Sequence, residues 1–141
     1  MEIKDIMTQN VVTIDPGESV EVAARTMNQY NIGALPVCRN GKLAGVLTDR
    51  DIVTRCLAAG RLPANTQVRQ VMTEQVTAVN PNMQTDVAAH LMGRLQIRRL
   101  PVVENGKLCG MVSLGDLAKR EETVLDAGDV LADISSNISS R

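Results

Sequence analysis

Gly45-Val46-Leu47-Thr48-Asp49-Arg50-Asp51 is the stretch on which the reading of the fold turns. The apolar run from Leu43 to Leu47 predicts a strand ending at Thr48, and Asp49 to Ala59 predicts a helix. Thr48 and Asp51 stand three residues apart, the spacing of a capping box: a hydroxyl at the N-cap, a carboxylate one turn in. The pattern returns at an offset of 65 as Gly110-Met111-Val112-Ser113-Leu114-Gly115-Asp116. A strand that runs into a helix leaves backbone N–H groups unpaired and a positive dipole end facing outward. Such an end can hold a phosphate, and a carboxylate beside it can take the two hydroxyls of a ribose. Read singly, each copy is equally an ordinary helix cap. The duplication asks for more.

Outward from this stretch the duplication continues. Lys4 to Arg55 aligns with Arg69 to Arg120 without a gap, and 19 of the 52 aligned pairs are identical. Met7/Met72, Thr8/Thr73, Pro16/Pro81, Pro36/Pro101, Gly45/Gly110 and Asp51/Asp116 are among them. Such a match marks an internal repeat. Each copy begins with a short segment ending in Met-Thr, followed by an extended piece, Val11 to Ile14 or Val76 to Val79, closed before Pro16 or Pro81. A helical stripe follows: Val20, Ala23, Ala24 and Met27, with Ser19 as N-cap, and then Val87, Ala88, Leu91, Met92 and Leu95. Leu35 to Cys38 and Lys42 to Leu47 flank Asn40-Gly41, a two-residue hairpin turn of type I′ character that Asn105-Gly106 repeats. A second helix closes each copy, Asp49 to Ala59 before Gly60 and Leu114 to about Glu122. The fold class expected is α/β (α+β): two βαββα units about a pseudo-twofold axis, with their sheets packed together. The boundaries expected are 1–62, 63–121 and a tail at 122–141. Val124, Leu131, Ile134 and Ile138 predict a short amphipathic helix in that tail, covering the core or meeting a partner before a frayed Ser-rich end.

Composition narrows the function. The chain has 141 residues, 44% of them hydrophobic, and Tyr30 is its single aromatic residue. A core of aliphatic side chains and methionines follows, and Met7, Met27, Met72 and Met92 are read as gap-fillers within it. A net charge of −1, with no rings on which to stack bases, argues against nucleic acid as a partner. No apolar run approaches membrane length and the N-terminus has no signal-peptide core, so the chain is read as cytoplasmic, without a membrane partner. Cys38, Cys56 and Cys109 show no paired spacing and are read as reduced thiols, and His90 as a surface residue. No His–carboxylate pair, Walker loop or metal-ligand cluster is evident, so no catalytic residue or metal site is assigned and the chain is read as a non-enzyme.

Each repeat resembles a CBS domain, the regulatory module named after cystathionine β-synthase. The likeness rests on Asp5-Ile6-Met7-Thr8, Ile32-Gly33-Ala34-Leu35-Pro36-Val37 and Gly45 to Asp51, and on Val71-Met72-Thr73, Ile97-Arg98-Arg99-Leu100-Pro101-Val102 and Gly110 to Asp116. Thr48-Asp49-Arg50-Asp51-Ile52-Val53, with Leu57-Ala58-Ala59-Gly60 after it, is most similar to stand-alone bacterial CBS pairs, some tied to stress or hypoxia responses. The resemblance implies a non-catalytic module that binds AMP, ADP, ATP, NAD or S-adenosylmethionine in clefts between two units. It also implies a disc-shaped homodimer and signalling to an unknown regulated protein, with no cofactor required. The ribose-binding aspartate and phosphate-binding hydroxyl of the family fall on Asp51 with Thr48, and on Asp116 with Ser113.

The base would lie against Ile14, Ile32, Val79 and Ile97, its edge read by main chain near Thr13 and Ala34, or Ala78 and Arg99. Arg98 and Arg99 sit where related proteins meet phosphates, and arginine offers a bidentate fork. Exposed arginines on a solvated hairpin are the plain alternative. The matching Gly33 and Ala34, with Asp49 beside them opposing an anion, make the first site the weaker for phosphate. Two readings remain open: a nucleotide sensor, and a ligand-free structural or interaction protein.

Overall fold

The computed structural model describes residues 1–119 and 124–139. The chain forms two compact units, and they are not the sequence repeats. Val11–Val76 makes one unit, while Met1–Asn10 joins the chain from Thr77 onward to make the other. The backbone shows why. Ile3 and Lys4 N–H donate to the carbonyls of Met83 and Pro81 at 2.9 and 3.0 Å, and Ile3 and Ile6 are buried in the later unit's core. Conversely, Val20 N–H donates to Thr66 and Val68 N–H to Glu18, both at 2.8 Å, and Val68 and Val71 are buried in the earlier unit's core.

In the Val11–Val76 unit, α1 (Val20–Tyr30) is capped by Ser19, whose Oγ accepts Val22 N–H at 3.1 Å. It ends at Asn31 in the left-handed region, φ 53°. Antiparallel β1 (Ala34–Arg39) and β2 (Lys42–Thr48) follow, joined by Asn40 and Gly41 at φ 55° and 79°. Positive φ at both central residues is the type I′ geometry that the Asn-Gly pair predicts. The extended piece before Pro16 is reduced to one parallel bridge, Ile14 to Val37. Beyond β2, a single α turn, α2 (Asp49–Asp51), runs into a π-helical stretch, Ile52–Leu57. Gly60, at φ 75°, follows it.

The other unit repeats the plan with α3 (Thr85–Leu95), β3 (Arg99–Glu104), β4 (Lys107–Ser113) and α4 (Leu114–Ala118). The expected extension of α4 to Glu122 falls partly outside the described residues. The tail forms α5 (Val124–Ser139), packed against α3 and α4. Its buried stripe is Ala127, Val130 and Ile134, whereas Leu131, expected on the apolar face, is 43% exposed. The helix therefore covers the core of its own unit, with its apolar face turned away from Leu131.

Met27 and Met92 are buried, and Met7 and Met72 pack on the cores, as the gap-filling reading predicts. The three cysteines are free, and burial pushes the Cys38 thiol above its usual range. His90 is exposed, beside Asp86, Asp129 and Asp133 at a hollow between α3 and α5. Among the described residues, no helix is long and apolar enough to cross a membrane.

Candidate functional site

Both copies of the organising stretch build the same reciprocal cap. In the Val11–Val76 unit, Thr48 Oγ1 accepts Asp51 N–H at 3.1 Å and Asp51 Oδ2 accepts Thr48 N–H at 3.0 Å. In the other, Ser113 Oγ accepts Asp116 N–H at 3.1 Å and Asp116 Oδ2 accepts Ser113 N–H at 2.8 Å. One oxygen of each carboxylate is thereby fixed. Among the described residues no donor hydrogen-bonds to either Oδ1; that of Asp51 has only Arg55 Nε nearby, at 3.7 Å. Asp51 is the more enclosed, with its side chain 12% exposed, and Asp116 is half-buried. Removing the cap hydroxyl in Ser113→Ala is expected to cost about 1 kcal/mol, read from denaturant unfolding.

The hairpin register brings the second motif to the cap. Ala34 pairs with Thr48, and the Gly33 carbonyl accepts Asp49 N–H at 2.9 Å. Arg99 pairs with Ser113, and the Arg98 carbonyl accepts Leu114 N–H at 2.8 Å. The extended piece before Pro16 or Pro81 arrives by its bridge: Ile14 N–H donates to the Pro36 carbonyl at 3.1 Å and Val79 N–H to the Pro101 carbonyl at 2.9 Å. In each unit the cap, the hairpin entry and the extended piece ending at Ile14 or Val79 are neighbours. This follows from the β-hairpin, because a two-residue turn fixes which residues face each other across the ladder.

Several side chains sit differently from the expectation. Ile14 and Val79, expected to face a base, are core residues, only 6% and 3% exposed, because each is held in its bridge against β1 or β3. Pro36 and Pro101 are also buried. Ile32 and Ile97 are half-buried, and Thr13, Ala78, Arg50, Arg98 and Arg99 are exposed. Of the apolar residues expected there, only Ile32 and Ile97 keep partly open surface, and the exposed residues form a mostly polar rim.

The units differ in charge. A side-chain carbon on Gly33 would stand 3.0 Å from Asp49 Oδ2, so the Asp49 carboxylate closes over the place where the other unit carries Arg98. One rim presents Asp49, Arg50 and Asp51, and the other presents Arg98, Arg99 and Asp116 with Leu114 in place of the acid. The second is the more cationic.

Arg55 escaped the sequence reading. It lies four residues beyond Asp51, a helical i,i+4 spacing, and pairs with an identical Arg120 at the repeat offset. That coincidence was the available signal; Arg120 itself lies outside the described residues.

Both repeats have counterparts among known proteins. The CBS domain family matches twice, over residues 3–58 and 68–123. The CBS domain-containing protein YhcV of Bacillus subtilis is 45% identical over 133 residues, covering 94% of either chain. Hypoxic response protein 1 of Mycobacterium tuberculosis is 35% identical over 117 residues, or 82% of either chain. A crystal structure of Hypoxic Response Protein I with two coordinated zinc ions superimposes with a TM-score of 0.78. It is 34% identical and covers 84% of this chain and 98% of that one. With both repeats matched and the folds superimposable, the chain belongs to the CBS domain family, of which it carries two copies.

Proposed function

We propose that this CBS pair, a regulatory rather than catalytic module, takes an adenosine-containing small molecule at the capping-box carboxylates and signals its presence to a partner protein by a conformational shift. AMP, ADP, ATP, NAD and S-adenosylmethionine are the candidates. The observation that carries the reading is the pair of half-engaged carboxylates. Oδ2 of Asp51 and of Asp116 is held by a backbone N–H, while Oδ1 accepts no hydrogen bond among the described residues. A rigidly held carboxylate with an unspent oxygen suits vicinal sugar hydroxyls. Beside Asp116, Arg98 and Arg99 supply the cations that phosphates require, so phosphorylated ligands favour this unit over the one where Asp49 closes in. Differential affinity for two arrangements of the chain then shifts their populations.

The name of the hypoxic response relative extends the proposal to a stress setting. A homodimer belongs to it as well, supported by Val53 and Leu57, 56% and 54% exposed on one helix. The competing reading is a ligand-free interaction protein. It is favoured by the same caps, since each carboxylate already serves its own helix.

Titration calorimetry of the purified chain with ATP, AMP, NAD and S-adenosylmethionine separates the two. Saturable heat with at least one of them is expected, and silence with all four defeats the sensor reading. With one Tyr and no Trp, the chain absorbs weakly at 280 nm, so co-purified adenine would raise the 260/280 ratio plainly.

A further inference from the structure

Arg55 closes a ring of contacts that starts and ends at Asp51. Its Nε stands 3.7 Å from Asp51 Oδ1. Its Nη1 donates to the carbonyls of Val71 and Met72 at 3.2 and 3.3 Å and to Thr73 Oγ1 at 3.2 Å. Thr73 exchanges two backbone hydrogen bonds with Val46, 2.9 and 3.0 Å long. Val46 lies on β2, and β2 ends at Thr48, whose N–H returns to Asp51. The Val71–Thr73 segment is the last ordered turn and bridge before the chain leaves this unit at Val76.

From this ring we infer that Arg55 is a positioning residue that couples the state of the Asp51 carboxylate to the Val71–Thr73 segment. Among the described residues the guanidinium has one anionic neighbour and three neutral acceptors, and it is half-exposed, so these partners fix its position. The charge on Oδ1 anchors the Nε side of the fork, and the Nη1 side pins the segment. Anything that draws on Oδ1 weakens the anchor. A sugar hydroxyl donating to that oxygen would do so, and only this last step rests on the proposed ligand. The coupling itself belongs to the ligand-free chain. At the repeat offset of 65, Asp116, Arg120 and Thr8 match Asp51, Arg55 and Thr73 in sequence.

A double-mutant cycle tests it without any ligand. Amide hydrogen exchange at Met72 and Thr73 is measured for wild type, Asp51→Asn, Arg55→Met and the double variant, with the β1–β2 ladder as internal reference. Asparagine keeps an oxygen able to accept Thr48 N–H, so the cap and the fold survive while the charge is lost. Asp51→Asn is expected to speed exchange at Met72 and Thr73 by about threefold to tenfold in the wild-type background and to change nothing further in Arg55→Met. Equal acceleration in both backgrounds, or none in either, overturns the inference. Since no nucleotide enters the cycle, calorimetric silence would defeat the sensor reading and leave this result standing, and a failed cycle would leave binding intact.

Discussion

Gly110→Ala is expected to lower the melting temperature by about 10 °C, through a loss of roughly 3 kcal/mol. A methyl group there would stand 2.5 Å from the Thr8 carbonyl oxygen and 3.0 Å from Met7 Sδ. The thioether can swing aside. The carbonyl is fixed, because it accepts Met111 N–H at 2.9 Å while Thr8 N–H donates to the Met111 carbonyl at 2.8 Å. Relief therefore requires parting the two backbones and losing hydrogen bonds within a packed unit, a mechanism that places a single substitution at the severe end of the range. Gly45→Ala meets the same obstacle in the other unit, where Thr73 O would be 2.6 Å and Met72 Sδ 3.0 Å away. Thermal unfolding followed by circular dichroism checks both variants. A melting temperature within a degree or two of wild type would show that the close approach is not required.

Asp116→Ala should weaken binding of a phosphorylated adenosine ligand by about thirtyfold, the effect of losing roughly 2 kcal/mol of charge-assisted hydrogen bonding. Asp51→Ala should do the same for whatever ligand the other unit takes. Both substitutions also remove half of a capping box, at about 1 kcal/mol of stability. Asp116→Asn separates the two effects, since it retains an acceptor for Ser113 N–H but presents no charge to a sugar. Calorimetry beside denaturant unfolding reads affinity and stability independently. If Asp116→Ala binds as wild type does, the carboxylate serves the helix alone and the ligand-free reading gains.

What could be read in the residues is what depends on neighbours in sequence. Asn40-Gly41 and Asn105-Gly106 specify their turns because few other pairs accept two successive positive φ angles, and the turns then set the register that brings Ala34 to Thr48 and Arg99 to Ser113. The caps at Thr48 and Ser113 are equally local. What could not be read depends on partners distant along the chain. Ile14 and Val79 are apolar residues in an extended piece, and nothing nearby tells whether the bridge to β1 or β3 turns them toward a core or a ligand. Gly45 and Gly110 read as members of a motif, whereas their role is to admit a carbonyl from a Met-Thr segment far away in sequence. The tail's buried stripe runs through Ala127 and Val130 because α3 and α4 choose the face, and alanine gives little signal on its own.

The mismatch between repeats and compact units bears on how such a chain arose. An ancestor with one repeat would have had its opening segment and its remainder belonging to different bodies, so it could complete itself only by trading arms with a sister molecule. Joining two such genes end to end turns a concentration-dependent exchange into an intramolecular event, governed by the local concentration that a short tether imposes. Thereafter the two repeats are free to diverge in charge, as Asp49 and Leu114 have, because a substitution in one no longer appears in the other.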